Sequence, residues 1–188
     1  SIYCRCLNAV FMVTLSLVLS ACSDDVLDNH FDLSVSFPAG DNSVYPNLSL
    51  DRNGHAILSW MKTDSDQVAL QFTRRQNSQW GAVITVAKGN DWLVNRADFP
   101  SVVQLTDTLW AAHWLVMTDT KVCAYDVWMS LATDDGVTWI EPFRPHTDGT
   151  QSEHGFVSFF VEGEDIGAVW LDGREMVAGH GHLPDPSA

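Results

Sequence analysis

Three tryptophans recur at nearly one spacing, and each closes a similar pair of short apolar runs. Trp60, Trp114 and Trp170 lie 54 and 56 residues apart (114 − 60 and 170 − 114). The units they close read Tyr45-Pro-Asn-Leu-Ser-Leu…Ile57-Leu-Ser-Trp60, Phe99-Pro-Ser-Val-Val-Gln-Leu…Ala111-Ala-His-Trp114 and His154-Gly-Phe-Val-Ser-Phe-Phe…Gly167-Ala-Val-Trp170. Alternating apolar residues bounded by turn formers describe half-buried strands. Short strands repeated with a period near 50 residues describe a β-propeller, one blade per repeat. The expected fold is all-β: an incomplete propeller of about three blades of four-stranded antiparallel sheet over residues 41–174, with no helix there.

Between the second and third units runs Ala132-Thr-Asp134-Asp-Gly136-Val-Thr138-Trp139. An Asp side chain in such a turn accepts backbone N–H bonds just ahead of it, and Gly supplies a positive φ. Trp139 then returns to the sheet as an apolar anchor. The segment resembles the Asp-box, or BNR repeat, of the sialidase superfamily, Ser/Thr-x-Asp-x-Gly-x-Thr-Trp, with Ala132 in place of the opening hydroxyl residue. One repeat earlier, Thr73-Arg-Arg-Gln-Asn77-Ser-Gln-Trp80 reads as a decayed copy, with Asn77 where glycine stood. Hairpins are expected at Asp51–Gly54 and Asp134–Gly136. The stretches Ala97-Asp-Phe-Pro-Ser101, Glu153-His-Gly-Phe-Val-Ser158 and Val169-Trp-Leu-Asp-Gly-Arg174 are similar to segments of exported bacterial sialidase-like lipoproteins, so the likeness runs over roughly residues 40–175.

The front of the chain reads as an address. Leu7 to Leu19 is a 13-residue apolar run behind Arg5, too short to span a bilayer but of the length of a signal core. Leu19-Ser-Ala-Cys22 resembles a bacterial lipobox. Residues 1–21 are thus expected to be a signal peptide, Cys22 the lipidated residue, and 22–40 a tether. Ser23 in place of Asp implies the outer membrane of the cell envelope. Cys4 and Cys6 would leave with the signal, so Cys123 alone would remain as a thiol, without an intrachain partner. Residues 175–188 carry no alternating apolar run, and the third unit lacks its outer strands; this predicts a truncated member of a longer family, with an apolar blade face and strand edges exposed.

Charge narrows the partners. The chain carries 10 Lys and Arg against 24 Asp and Glu, a net −14, or −15 once Arg5 is removed with the signal. Such acidity argues against nucleic acid and against passive attraction to anionic lipid. It also opposes long-range steering of a sialylated glycan, which would need a local arginine cluster.

The resemblance implies an exo-α-sialidase (neuraminidase) chemistry: arginines for the substrate carboxylate, a Tyr paired with a Glu, and an Asp acid/base. In a propeller, the innermost strands and the loops entering them line the central site. Asp98 is therefore the candidate acid/base, or else a loop cap. Glu153 is the second candidate catalytic group, and with His154 it could orient a hydroxyl or relay a proton. Arg174 is a candidate carboxylate ligand through its guanidinium fork, or else the ion-pair partner of Asp172 or Glu175. Arg96, His113, His154 and Asp172 complete the expected substrate-binding set. Arg52, Arg74 and Arg75 read as solvated turn charges. His180 and His182 form a His-x-His pair, but without a third ligand in pattern no metal and no cofactor is expected. The expected partner is a glycan or sialoglycoconjugate, with a non-catalytic carbohydrate-binding or scaffold propeller as the alternative.

Overall fold

A computed structural model of the protein describes residues 37–119, 124–163 and 165–175. Strands run in chain order β1 Ser43–Leu50, β2 Ala56–Asp64, β3 Gln67–Gln76, β4 Gln79–Trp80, β5 Ile84–Gly89, β6 Ser101–Gln104, β7 Trp110–Asp119, β8 Ala124–Ala132, β9 His154–Glu162 and β10 Asp165–Asp172. A short 3-10 turn, Gly173–Glu175, follows β10, and the described residues contain no α-helix. The molecule is all-β.

The strands form antiparallel sheets, none of them closed on itself. In the first, β1, β2 and β3 form a meander, and β5 pairs with the far side of β3. The two-residue β4 extends the end of β3. The second sheet is β6-β7-β8, and residues 139–143 run beside β8 as an irregular fourth segment through bridges at Met129–Phe143 and Ala132–Trp139. The third is the β9–β10 pair. Trp60, Trp114 and Trp170 each stand on the second strand of their unit, β2, β7 and β10. Their even spacing reflects that shared place.

The turns follow their residue chemistry. Asp51 Oδ1 accepts the N–H groups of Asn53 (2.9 Å) and His55 (2.8 Å), and Gly54 takes φ +81°. Asn77 and Ser78 both adopt positive φ (49° and 63°), the requirement of a tight two-residue hairpin turn. In the Asp-box-like segment, Asp134 Oδ1 accepts the N–H of Thr138 (2.8 Å), four residues on, and Gly136 takes φ +77°. Trp139 is pinned by its indole N–H to the Gly136 carbonyl (2.9 Å) and meets Phe72 of the first sheet edge-on at 6.0 Å. Arg74 is no solvated turn charge. It lies near the end of β3 and holds Asp135 through two hydrogen bonds of 2.9 and 2.7 Å, so the turn of the second unit is fastened to the first.

Two apolar clusters join the sheets. Ile57, Leu70, Phe72, Val102, Trp110 and Trp114 pack between the first and second, with Trp92 stacked on Trp114 at 4.9 Å. Leu115, Tyr125, Val127 and Met129 meet Phe159 and Trp170 of the third. Flat aromatic and branched aliphatic side chains fill such inter-sheet layers, and each buried one contributes roughly 1.5–3 kcal/mol. Among the described residues the third sheet is covered on only one face: Phe156, Phe160, Val169 and Leu171 remain exposed.

Candidate functional site

The first residues of β9 gather most of the polar side chains singled out above. Asp98 is buried, and its Oδ1 accepts the N–H of Phe156 at 2.9 Å. Its Oδ2 has no hydrogen-bond partner. The carboxyl can approach because residue 155 is glycine; a Cβ there would fall 1.9 Å from Asp98 Oδ2 and 3.1 Å from the Tyr125 ring. Phe156 adopts φ +56°, an unusual value for a large residue, at the point where it donates to Asp98. Burial pushes the Asp98 pKa up from the ordinary carboxyl range, the Phe156 N–H opposes the shift, and the charge of Glu153 adds to it. This environment shifts the balance from carboxylate toward carboxylic acid.

Glu153 itself is exposed, and its backbone is clamped between Tyr125 and Gly173. His154 is fully buried. Its Nδ1 lies 3.4 Å from Asp126 Oδ1, and its Nε2 lies 3.4 Å from both Asp148 Oδ2 and Asp172 Oδ1, yet neither nitrogen makes a hydrogen bond of acceptable geometry. His146 stacks on it with ring centroids 4.2 Å apart. Asp148 is held well below the usual carboxylate range by the Thr150 hydroxyl, with further lowering from His146.

Asp172 is opposite His154 in the β9–β10 ladder. It accepts the Arg174 backbone N–H (3.0 Å) and the guanidinium Nε (2.9 Å), and these bonds lower its pKa to about 2. Arg174 is thereby an ion-pair partner, of the two readings open for it. Arg144 is likewise occupied, by Asp126 at 2.7 Å. Arg96 is exposed and makes no ion pair among the described residues.

His113 stands apart from this group. It is buried on β7, bonded through Nδ1 to the Ser101 hydroxyl (2.9 Å), and burial drives its pKa down to about 3. It is a neutral core histidine that forms the floor of an open groove of ≈ 480 Å³ crossing β1, β6 and β9. Asn47, Arg52, Phe99 and Gln104 offer polar and aromatic contacts along the groove. Phe99, half of whose neighbours in sequence is Asp98, is exposed at its lip. Cys22, His180 and His182 lie outside the described residues.

No family model matches the chain, and no curated protein or solved structure is detectably similar to it. Asp126, His146 and Asp148 escape the sequence reading. They sit on β8 and on the irregular segment before β9, so no spacing links them to His154; only the alternation around Asp126, a charged residue in the apolar strand Ala124–Ala132, marks one of them.

Proposed function

We propose that the chain is a sialidase-like surface lipoprotein whose sheets are blades of a β-propeller and which engages glycans across the inner strands β1, β6 and β9. The observation that carries this reading is Asp98: a buried carboxyl with one unbonded oxygen, biased toward its protonated form, beside Phe99 at the lip of the groove. Two neighbouring carboxyls, one of them with its pKa raised by burial, are an arrangement that glycosidic chemistry uses. A groove offering Phe99, Asn47, Gln104 and Arg52 suits a sugar, which presents an apolar face and a rim of hydroxyls. The lipid on Cys22 would anchor the protein to the envelope.

Binding without turnover is favoured over hydrolysis by a second observation. Of the described arginines only Arg52 lines the groove, and Arg144 and Arg174 are held by aspartates elsewhere, whereas a sialoside carboxylate demands an arginine cluster. Saturation-transfer NMR with a panel of sialylated and neutral oligosaccharides tests both readings. Contacts to a sugar that weaken in Phe99→Ala support the groove, and no contact with any sugar refutes it. Release of sialic acid from a fluorogenic sialoside, abolished by Asp98→Asn, would make the protein an enzyme. For the anchor, Cys22→Ala should abolish labelling by a fatty-acid analogue; undiminished labelling would refute it.

A further inference from the structure

Asp126 on β8, His146 in the preceding-loop segment of β9 and His154 at the start of β9 turn one donor atom each toward a common point. Asp126 Oδ1 lies 3.4 Å from His154 Nδ1 and 3.7 Å from His146 Nε2, and one donor atom from each residue lies within 4.8 Å of the other two. A tetrahedral ion with bonds of about 2.0–2.1 Å holds its ligand atoms about 3.4 Å apart, so two of these separations are already near those of a coordination sphere. All three side chains are buried, and the inward atoms His146 Nε2 and His154 Nδ1 have no hydrogen bond. Buried imidazole nitrogens without partners carry an uncompensated desolvation cost, which a cation at their focus would remove.

The surrounding groups hold these three side chains in place. The other oxygen of Asp126 accepts Arg144 Nη1 at 2.7 Å, leaving Oδ1 turned inward. Asp148 Oδ1 faces His146 Nδ1 at 2.8 Å and fixes the tautomer that leaves Nε2 with its lone pair. His154 Nε2 is backed by Asp148 and Asp172 at 3.4 Å. Three carboxylates (Asp126, Asp148, Asp172) face two guanidiniums (Arg144, Arg174), which leaves one negative charge in excess (3 − 2) when both imidazoles are neutral. That balance invites a cation.

We propose that Asp126, His146 and His154 bind a divalent transition ion of the zinc type, with Asp148 and Asp172 orienting the two imidazoles. Two nitrogens and one oxygen suit zinc and leave one tetrahedral position for water or a ligand oxygen. The ion would tie the second sheet to the third, and the inference stands whether or not a glycan is the partner.

Calorimetric titration of the purified, metal-stripped full chain with zinc tests this. One equivalent should bind, and cobalt in its place should give the intense visible bands of a tetrahedral ion. His146→Gln and Asp126→Asn should each abolish the cobalt bands, and Asp148→Asn should weaken zinc binding about 10–100-fold. Near-UV circular dichroism checks that each variant is folded, and His146→Gln, on the irregular segment, is the variant least coupled to the strands. The double variant His180→Gln/His182→Gln should bind as the parent does. Absence of binding, binding unchanged in folded His146→Gln, or loss of binding only in the His180/His182 variant would overturn the proposal.

Discussion

Asp98 and Asp172 both meet the first residues of β9, and the protein treats them in opposite ways. Asp98 receives one backbone N–H and no cation, so burial dominates and favours its protonated form. Asp172 receives a guanidinium and a backbone N–H, which keep it ionised down to about pH 2. Two carboxyls at one strand start are thus shifted in opposite directions, Asp98 up and Asp172 down. The difference lies in a single partner, the arginine two residues beyond Asp172. Carboxyl pairs driven apart in this way are the usual mark of an acid and a fixed anion.

The largest expected effect is one that would mask the comparison unless removed. His113 has a folded pKa of about 3 against an ordinary 6.5. The unfolded chain therefore binds the extra proton first, and stability is full above pH 6.5 and falls as pH drops toward 3. At about 1.4 kcal/mol per unit, this one group would remove roughly 5 kcal/mol across that window. In His113→Phe, denaturant melts between pH 6.5 and 3 should lose most of this slope, at a pH-independent cost of about 1–2 kcal/mol for the unpartnered Ser101 hydroxyl. An unchanged slope would contradict the assignment.

Gly155→Ala breaks the Asp98 side of the comparison. Its Cβ would collide with Asp98 Oδ2, and chemical melts should show a loss of about 2–3 kcal/mol. Adding Asp98→Ala to it should recover much of that loss, because the colliding atom is then gone; strictly additive losses would show that the contact is not the cause.

Asp172→Asn tests the other side. Its folded pKa is lowered, so the stability it contributes is present above about pH 4 and is lost as pH falls toward 2. The pair with half-exposed Arg174 is screened, and a loss of about 1 kcal/mol at pH 7 is expected, vanishing below pH 2. The smallest effect should come from Asp98→Asn. Asp98 has a raised folded pKa, so its contribution is greatest in acid and is lost as pH rises through that value. The amide keeps an acceptor for Phe156, and melts at pH 7 should differ from the parent by no more than about 0.5 kcal/mol, or favour the variant.

The tryptophan spacing and the Asp-box-like turn were enough to read the three strand units, because each repeats one local pattern of alternation and turn chemistry. Asp51, Asn77 and Gly136 behave as their side chains require at those turns. The candidate site was legible where its residues lie at or beside strand ends, as Asp98, His154 and Asp172 do. Arg174 carried two readings that spacing could not separate, since an arginine two residues from an aspartate serves equally well as its partner or as a ligand. Asp126, His146 and Asp148 were not legible at all: Asp126 reaches His154 through the packing of β8 against β9, and His146 and Asp148 through the irregular course of the segment before β9, neither of which a local period encodes. The fastening of Arg74 to Asp135 was hidden for the same reason, across 61 residues of chain.

A carboxyl-carbon NMR titration following Asp98 and Asp172 in one sample tests the central claim most directly. Asp98 should titrate above the ordinary carboxyl value and Asp172 at about 2, so that Asp98 takes up its proton while Asp172 is still ionised. Titration of Asp98 at or below the midpoint of Asp172 would contradict it.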